Sequence, residues 1–342
     1  MTQSRSNIDM QARVAVFGAG AWGTALAIQL ARNNVEVNLW GHRPGHIENL
    51  ARDRENRACL PGIKLAPNIH PLSSIEKCLQ DAQVVLITIP SKAFRGILQL
   101  LKPVLEPDIS LFWASKGFEI ETGKLMHQLV VEELPGHHYG VISGPTFAGE
   151  VARGLPAAIT CAGDDDSSTS LFADLLHANR FRCYTSSDVV GVELGGALKN
   201  ILAIAVGIAD GLGFGANTRA ALITRGLSEI MRLGKTFGAR EETLMGLAGL
   251  GDLILTCTDD QSRNRRFGLA IGEGMSLQQA ETAVGATVEG LRAARAVNYM
   301  SRDLGLELPI MEQVYQVLYE AVKPLDAVKS LENRPQRAEH GA

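Results

Sequence analysis

Short apolar runs alternate with helical patterns from residue 13 to about residue 160. The runs predict strands at residues 14–17, 35–40, 84–89, 110–114, 141–142 and 157–161. Residues 24–33 predict a helix after the first strand, and residues 163–168 predict a solvated turn whose Asp and Ser side chains cap the next helix. Short buried strands that alternate with helices are typical of βαβ units. This half of the chain therefore predicts an α/β fold with a mainly parallel sheet flanked by helices.

The pattern changes after about residue 188, where strand-like runs nearly vanish. Helical character follows at residues 191–212, 218–237 and 291–304, whereas residues 247–260 are expected to be more loop-like. This shift predicts a domain boundary. We expect a first domain of residues 1–188 and an all-helical second domain of residues 189–332. The polar residues 333–342 are expected to form a flexible tail.

Composition and charge limit the classes of function. The 342 residues, 46% of them apolar, suffice for two domains with their own cores. A formal net charge of -4 argues against generic binding to nucleic acid or to an anionic membrane. The five cysteines are widely spaced and form no C-x-x-C pair, which predicts reduced thiols and no metal site.

Two further features predict a cytoplasmic protein that does not insert into a membrane. The N-terminal residues are polar and lack the apolar core of a secretory signal. The most apolar segment, residues 194–214, is interrupted by Lys199, Asn200 and Asp210 and contains several glycines. These interruptions favour a buried helix over a bilayer span.

A glycine motif follows the first predicted strand. Residues 18–23 read GAGAWG, a G-x-G-x-x-G that opens directly into a helix. Gly18 would permit the tight turn, Gly20 would let the backbone approach a pyrophosphate, and Gly23 would allow close packing of strand and helix. Phosphates would then lie at the positive end of the helix dipole. The motif predicts a Rossmann-type dinucleotide site, with a purely structural turn as the alternative.

The end of the second predicted strand bears on the choice of cofactor. NAD-selective sites usually place Asp or Glu there to hold the ribose 2'-hydroxyl, but this strand ends Trp40-Gly41-His42-Arg43. Arg43 and His42 could instead face a 2'-phosphate, so we expect NADPH to be accepted. The alternative is that Arg43 is an ordinary solvated cation, and the preference between NADPH and NADH stays open.

The helix predicted at residues 191–212 contains the strongest catalytic candidate. Gly195 and Gly196 each cost about 1 kcal/mol relative to alanine inside a helix, so they suggest a close approach of backbone or ligand. Lys199 lies among apolar residues, where desolvation would lower its pKa and suit it to proton transfer. The alternative is a lysine that extends from the helix edge to water.

Three other segments carry polar groups suited to a ligand. Residues 114–117 and 143–148 follow predicted strands, where α/β proteins bind ligands beyond the carboxyl ends. Residues 262–266 read SRNRR, which combines hydroxyl, amide and guanidinium groups as a phosphate site would. We expect Arg265 and Arg266 to belong to a solvated basic face.

These segments together carry a family resemblance over nearly the whole chain. The chain resembles the bacterial NAD(P)-dependent glycerol-3-phosphate dehydrogenase family in the segments GAGAWGTALA, LWGHR, ASKG, SGPTFA, ELGGALKNILAIAVGI, NTRAALITRG, GLAGLGDLILTCT, SRNRRFG and VEG. The resemblance implies a Rossmann-type N-terminal domain and a helical C-terminal domain. It also implies reversible reduction of dihydroxyacetone phosphate to sn-glycerol 3-phosphate with NADPH or NADH, for glycerophospholipid biosynthesis, by a cytoplasmic homodimer.

The resemblance also assigns roles to residues. It implies that Lys199 is the catalytic proton donor and acceptor. The implied substrate contacts are Lys116, Gly144, Thr146, Lys199, Asp252, Ser262, Arg263 and Asn264. The implied cofactor contacts are Gly18, Gly20, Ala21, Trp22, Gly23, His42, Arg43, Lys116, Ala148, Arg263, Thr287 and Glu289. Ala21 and Thr287 depart from the family pattern, since the family often has Ser at the first position and an aliphatic residue at the second.

The sequence leaves two alternative functions open. One is a related dehydrogenase that acts on a 3-hydroxy acid or a sugar acid, which would require no phosphate on its substrate. The other is a redox sensor that binds NADPH without turnover, against which Lys116 and Lys199 argue.

Overall fold

The computed structural model describes residues 12–285 and 287–336. The polar N-terminal segment up to residue 11 and residues 337–342 of the expected tail lie outside the described residues. Within the described part, an eight-stranded sheet is followed by helices alone.

The sheet is formed by the first half of the chain. Its order is β3-β2-β1-β4-β5-β6-β7-β8. Neighbouring strands are parallel except β6 and β7, which run antiparallel, so β7 and β8 are reversed relative to the other six. The strands are β1 Arg13–Phe17, β2 Glu36–Trp40, β3 Ile69–Leu72, β4 Val84–Ile87, β5 Ser110–Trp113, β6 Tyr139–Ser143, β7 Ala157–Gly163 and β8 Phe181–Ser186.

The earlier helices alternate with the strands, and the later helices follow the last strand and form the helical half of the molecule. Those within the sheet region are α1 Ala21–Arg32, α2 Pro44–Asp53, α3 Ile75–Leu79, α4 Phe94–Leu101, α5 Met126–Glu133, α6 Ala148–Arg153 and α7 Asp166–Leu176. Those that follow the sheet are α8 Val189–Gly211, α9 Ala216–Thr236, α10 Glu241–Met245, α11 Asp252–Thr258, α12 Arg263–Gly272, α13 Leu277–Val284, α14 Glu289–Asp303, α15 Pro309–Tyr319 and α16 Pro324–Glu332.

The six predicted strands and the predicted α/β fold class are confirmed, but the pattern missed two strands. β3 contains Pro71 and carries only one buried residue, Ile69, so its sequence lacks an apolar run. It lies at the edge of the sheet, where proline is tolerated because one side of the strand has no partner. In β8 buried and exposed positions alternate at the opposite edge, which again leaves no continuous apolar run.

The prediction of a loop at residues 247–260 is wrong. A π-helical turn at Leu247–Gly251 leads directly into α11. The glycines at 246, 249 and 251 obscured the helical pattern, because glycine is the weakest helix former after proline. This helix positions a site residue, since α11 begins at Asp252.

Helix α8 is the central element of the helical half. By length and composition it could cross a membrane, but 89% of its most apolar stretch is buried inside the molecule. The expectation of a buried helix is therefore confirmed. Apolar side chains of α8, α9, α12, α14 and α15 form one continuous core around it.

Helices α8 and α12 approach each other through four glycines. A Cβ atom on Gly207 would lie 2.2 Å from the Arg265 carbonyl oxygen, and one on Gly211 would lie 2.3 Å from that of Leu269. Conversely, a Cβ on Gly268 or Gly272 would lie 2.2 or 2.3 Å from a carbonyl oxygen of α8. Any side chain at these positions would separate the helices, so the glycines fix their spacing.

Candidate active site at the carboxyl edge of the sheet

The glycine turn joins β1 to α1. Gly18 has φ +129°, a conformation that L side chains rarely adopt, and its carbonyl accepts a 3.0 Å hydrogen bond from Thr88 Oγ1. A Cβ on Gly23 would lie 1.8 Å from the Gly18 carbonyl oxygen. The predicted roles of Gly18 in the turn and of Gly23 in close packing are thus confirmed.

Gly20 differs from these two glycines, because it is exposed and no protein atom lies within 4 Å of where its Cβ would be. It precedes α1 and provides no side-chain cap, so the first N–H groups of the helix are left for another acceptor. Ala21 and Trp22, both half-buried, form the first turn. An exposed helix N-terminus without a capping side chain fits the phosphates of a dinucleotide.

A buried and a half-buried side chain hold the turn from behind. Asn56 is fully buried and donates to the Ala19 carbonyl oxygen at 3.0 Å and to Thr24 Oγ1 at 2.8 Å. His46 Nε2 lies 3.1 Å from the same carbonyl oxygen. The sequence pattern indicated neither residue, since an isolated Asn in a loop or an isolated His in a helix gives no pattern from which its partner could be inferred.

A histidine and an arginine follow β2 at the carboxyl edge of the sheet. His42 and Arg43 are both exposed, and Arg43 precedes α2 without capping it. Among the described residues neither side chain has a hydrogen-bond or ion-pair partner. The Arg43 guanidinium is therefore available to a ligand beyond the end of β2.

Three charged side chains from distant parts of the chain meet beyond β5. Lys199 Nζ of α8 donates to Asp252 Oδ1 at 2.5 Å and to Thr256 Oγ1 at 2.8 Å. Lys116 Nζ, from the loop after β5, donates to the other carboxylate oxygen of Asp252 at 2.6 Å. Lys199 is 8% exposed and Asp252 1%, so Lys199 does not extend to water as the alternative reading required.

Burial and charge shift the pKa values of this cluster. Burial lowers the pKa of Lys199 to about 8; the Asp252 charge opposes that shift, and the Lys116 charge adds to it. The prediction that desolvation lowers the pKa of Lys199 is therefore confirmed. Burial favours the neutral form of Asp252, but the charges of Lys116 and Lys199 outweigh it and lower the pKa of that carboxyl group.

The two glycines before Lys199 allow the cluster to form. A Cβ on Gly195 would lie 2.5 Å from the Ala248 carbonyl oxygen, in the π-helical turn that precedes Asp252. A Cβ on Gly196 would lie 3.0 Å from Ser143 Oγ and 3.4 Å from the Lys116 side chain. The predicted close approach at both glycines is confirmed. Gly195 admits the backbone that positions Asp252, and Gly196 admits Lys116.

The strands that carry the glycine turn and Lys116 are separated by one strand in the sheet. Lys116 follows β5, which pairs with β4, which in turn pairs with β1 and its glycine turn. Two strand spacings amount to roughly 10 Å. Beyond the carboxyl ends of these parallel strands, a ligand that extends along the sheet edge can reach both places.

The loop after β6 borders the cluster. Ser143 Oγ lies 3.5 Å from Asp252 Oδ2. Gly144 lies against β7, where a Cβ would come 2.9 Å from the Ala158 carbonyl oxygen. Thr146 Oγ1 donates to the Gly144 carbonyl oxygen at 3.2 Å, and the half-buried Ala148 begins α6. The structure thus brings the predicted residues of this loop to the same edge of the sheet.

The first turn of α12 contains the remaining predicted substrate contacts. Ser262 caps the helix by accepting from the Arg265 N–H at 3.2 Å. Asn264 is buried and joins two helices, donating to Asn200 Oδ1 at 2.8 Å and accepting from the Gly290 N–H at 2.9 Å. Arg263 is exposed and has no hydrogen-bond or ion-pair partner among the described residues. Arg263 and the helix N-terminus are therefore the groups here that remain free to bind an anion.

Helix α14 begins beside α12 at Glu289. Asn200 Nδ2 lies 3.5 Å from Glu289 Oε2, which connects Glu289 to the residue after Lys199. Thr287 is exposed just before this helix. Both predicted cofactor contacts thus lie on the helical half, at the side that carries Asn264.

The expectation for Arg265 is wrong. Arg266 is exposed, as a solvated basic face requires, but Arg265 is only 8% exposed. Its guanidinium binds Asp210 Oδ2 at 2.7 Å and also Asp260. The helical period explains the difference, because adjacent residues of α12 face different directions, and of these two arginines Arg265 faces α8 whereas Arg266 faces away from it.

Two polar residues beside Lys199 were not predicted as site residues. Thr256 accepts from the Lys199 amine and lies one helical turn after Asp252, so a helix prediction at residues 252–258 would have placed both on one face. Asn200 is an isolated amide in an apolar helix and holds Asn264. Its signal was present in the sequence, as a buried polar group that needs a partner.

Two family models match the chain consecutively. The model for the N-terminus of NAD-dependent glycerol-3-phosphate dehydrogenase matches residues 13–169, and the model for its C-terminus matches residues 188–329. The chain belongs to the NAD-dependent glycerol-3-phosphate dehydrogenase family. This confirms the resemblance found in the sequence and the prediction of an NAD(P)-dependent oxidoreductase.

Individual glycerol-3-phosphate dehydrogenases match over nearly their whole length. The protein of Shewanella halifaxensis, named with the cofactor NAD(P)+, is 50% identical over 331 residues, which are 96% of this chain and 97% of that one. That of Nitrosococcus oceani is 50% identical over 329 residues, 96% of each chain. The crystal structure of the Coxiella burnetii enzyme has a TM-score of 0.92 at 42% identity and covers 95% of this chain and 100% of that one.

Proposed function

We propose that this protein catalyses the reversible reduction of dihydroxyacetone phosphate to sn-glycerol 3-phosphate with NADPH or NADH. The observation that carries the proposal is the buried amine of Lys199, which Asp252 holds beside Lys116. This cluster lies beyond β5, two strands away from β1 and its glycine turn. A buried amine with a lowered pKa is suited to proton transfer near neutral pH.

Residues at the glycine turn, after β2 and around the lysine cluster suit the dinucleotide. The uncapped N-terminus of α1 and the open space at Gly20 fit its pyrophosphate, with Gly18, Ala21, Trp22 and Gly23 forming the turn. His42 and Arg43 would contact the adenosine ribose, and Lys116, Ala148, Arg263, Thr287 and Glu289 would contact the remainder. When bound, the nicotinamide donates or accepts the hydride at its C4 position.

Lys199 transfers the proton in this proposal. In its ammonium form it donates to the carbonyl oxygen of dihydroxyacetone phosphate during reduction. Its neutral amine accepts the hydroxyl proton of glycerol 3-phosphate during oxidation. Asp252 orients both lysines through its two carboxylate oxygens, and the Lys116 charge stabilises the negative charge that develops on the substrate oxygen.

The phosphate of the substrate would be bound by the first turn of α12. The free Arg263 guanidinium and the helix N-terminus supply positive charge there, while Ser262 and Asn264 fix the turn. Gly144 and Thr146 would contact the carbon chain between the phosphate and the lysines. Anchoring the phosphate restricts the small carbonyl end to a reactive position.

Initial rates of the purified protein test this function. We expect oxidation of NADPH and NADH that depends on dihydroxyacetone phosphate. Turnover of 3-hydroxy acids or sugar acids, with none of dihydroxyacetone phosphate, would instead indicate the related dehydrogenase. Binding of NADPH without turnover of any of these substrates would indicate the sensor.

We also infer that the protein acts as a homodimer in the cytoplasm. The family resemblance supports the dimer, and so does α9, in which residues 216–225 include no buried residue. The free thiols of all five cysteines support a reducing compartment. Light scattering of the purified protein should give the mass of two 36.7 kDa chains, and the mass of one chain would contradict the dimer.

A further inference from the structure

We propose that Arg265 is a positioning residue for the substrate phosphate, acting through the first turn of α12 without touching the substrate. The inference rests on the proposed function, since it assumes that Arg263 and the N-terminus of α12 bind the phosphate. It concerns a residue that the sequence pattern assigned to a solvated face.

The Arg265 guanidinium connects three segments of the helical half. Nη2 binds Asp210 Oδ2 near the end of α8 at 2.7 Å, and Nη1 binds Asp260 in the turn that leads into α12. Asp210 also binds Arg219 of α9 at 3.0 Å. The side chain thus joins α12 to α8 and to the turn that precedes α12.

The backbone of Arg265 is fixed as firmly as its side chain. Its carbonyl oxygen lies against Gly207, so close that a Cβ there would come within 2.2 Å. At the preceding position, Asn264 donates a hydrogen bond to Asn200 and accepts one from the Gly290 N–H. Of the three consecutive residues, two are held by α8 and α14, and Arg263 alone is left free of protein partners in the described part of the chain.

Charge gives Arg265 a second effect on an anion at this turn. Asp210, Asp260, Arg219 and Arg265 together are neutral, with two carboxylates and two guanidinium groups. Without Arg265, Asp210 retains Arg219, but Asp260 loses its partner three residues before Arg263. The side chain of Asp260 is 78% exposed, so without Arg265 an unpaired carboxylate would remain in the turn that leads into the proposed phosphate site and would repel a dianion.

The test compares substrates with and without a phosphate in Arg265→Ala, with Arg266→Ala as the control. Arg266 lies on the same helix and carries the same charge, but it is exposed. For Arg265→Ala we expect the KM for dihydroxyacetone phosphate to rise about tenfold or more, with kcat within about threefold. We expect kcat/KM for unphosphorylated dihydroxyacetone and the KM values of Arg266→Ala to stay unchanged.

A second change separates positioning from general stability. Adding Asp260→Asn to Arg265→Ala removes the unpaired carboxylate and should restore part of the lost affinity for dihydroxyacetone phosphate. If Arg265→Ala does not fold, Arg265→Lys takes its place, because lysine keeps the charge but cannot bind both carboxylates in the same way. For that variant we expect a KM increase of about threefold with no change for dihydroxyacetone.

Two results would overturn the inference. One is an unchanged KM for dihydroxyacetone phosphate in the folded variant, and the other is an equal loss of kcat/KM for both substrates. Either result, with a normally active wild-type enzyme, would leave the proposed function intact. A wild-type protein without turnover of dihydroxyacetone phosphate would contradict the proposed function itself.

Discussion

The cofactor end of the site, residues 18–23, and its chemical end, the cluster of Lys116, Lys199 and Asp252, are assembled in different ways. At the cofactor end six consecutive residues form the turn, and the contact that shapes it joins Gly18 to Gly23. At the chemical end Lys116 and Asp252 are 136 residues apart, and Lys199 and Asp252 are 53 apart. The first depends on local backbone sterics and the second on tertiary packing.

The difference implies separate effects of mutation. A change in the turn alters backbone geometry where we propose that the dinucleotide binds, so it should weaken cofactor affinity. A change in the cluster removes a group that we propose contacts the substrate oxygen, so it should slow the chemical step and leave cofactor affinity intact.

The largest effect is expected for Lys199→Ala. Removing the amine eliminates the proposed proton donor, so kcat for reduction of dihydroxyacetone phosphate should fall by about a thousandfold or more. Fluorescence titration should give a Kd for NADPH close to that of the wild type. Turnover near the wild-type rate would remove Lys199 from the mechanism, and loss of NADPH binding would break the separation of the two ends.

A pair of glycine substitutions tests the cofactor end. In Gly23→Ala the new methyl group would lie 1.8 Å from the Gly18 carbonyl oxygen, so the turn must move. We expect the Kd for NADPH to rise more than about tenfold and Tm to fall. In Gly20→Ala the new methyl group would contact no protein atom, so Tm should be unchanged. The Kd should nevertheless rise, because the methyl group would occupy the space proposed for the pyrophosphate. Unchanged affinity in Gly20→Ala would place the phosphates elsewhere.

The pH dependence of glycerol 3-phosphate oxidation tests the chemical end. The proposed mechanism requires the neutral amine of Lys199, whose pKa of about 8 lies below the ordinary lysine value. The value of kcat/KM should therefore rise about tenfold per pH unit below pH 8 and level off above it. Lys199→Arg, which stays protonated throughout, should show low activity without this rise. The same rise in the arginine variant would assign the titration to another group.

The smallest effect is expected for Arg43→Ala. This exposed arginine would attract the 2'-phosphate of NADPH from the end of β2, and exposed charges contribute little. The ratio of kcat/KM for NADPH to that for NADH should fall about fivefold, with kcat unchanged. An unchanged ratio would identify Arg43 as an ordinary surface cation. A change in kcat would show that Arg43 also affects the chemical step, which would contradict the separation of the two ends.

The sequence predicted the cofactor end more completely than the chemical end, because local backbone sterics shape the first and tertiary packing assembles the second. Gly18 and Gly23 act on each other over five positions, so their spacing alone indicates the turn. The contact of Lys199 with Asp252 required the π-helical turn and α11, which the sequence pattern had assigned to a loop. Gly195 and Gly196 did indicate a close approach, but not which segment approaches.

Most of the fold could be predicted where apolar runs are continuous. The strands at the centre of the sheet and the buried helix α8 have such runs, whereas the edge strands β3 and β8 do not. The role of Arg265 was beyond the reach of sequence patterns, because its partners Asp210 and Asp260 are ordinary acidic residues until α8 and α12 are packed together. The four glycines that set this packing lie on two separate helices.

A crystal structure of the complex with NADP+ and dihydroxyacetone phosphate, which cannot react with each other, tests the convergence of the two ends most directly. We predict that Lys199 Nζ lies within about 3 Å of the ketone oxygen, with the pyrophosphate at Gly20 and the substrate phosphate at Arg263. A ketone oxygen more than about 6 Å from Lys199 Nζ, with that amine still bonded only to Asp252 and Thr256, would contradict the proposed mechanism.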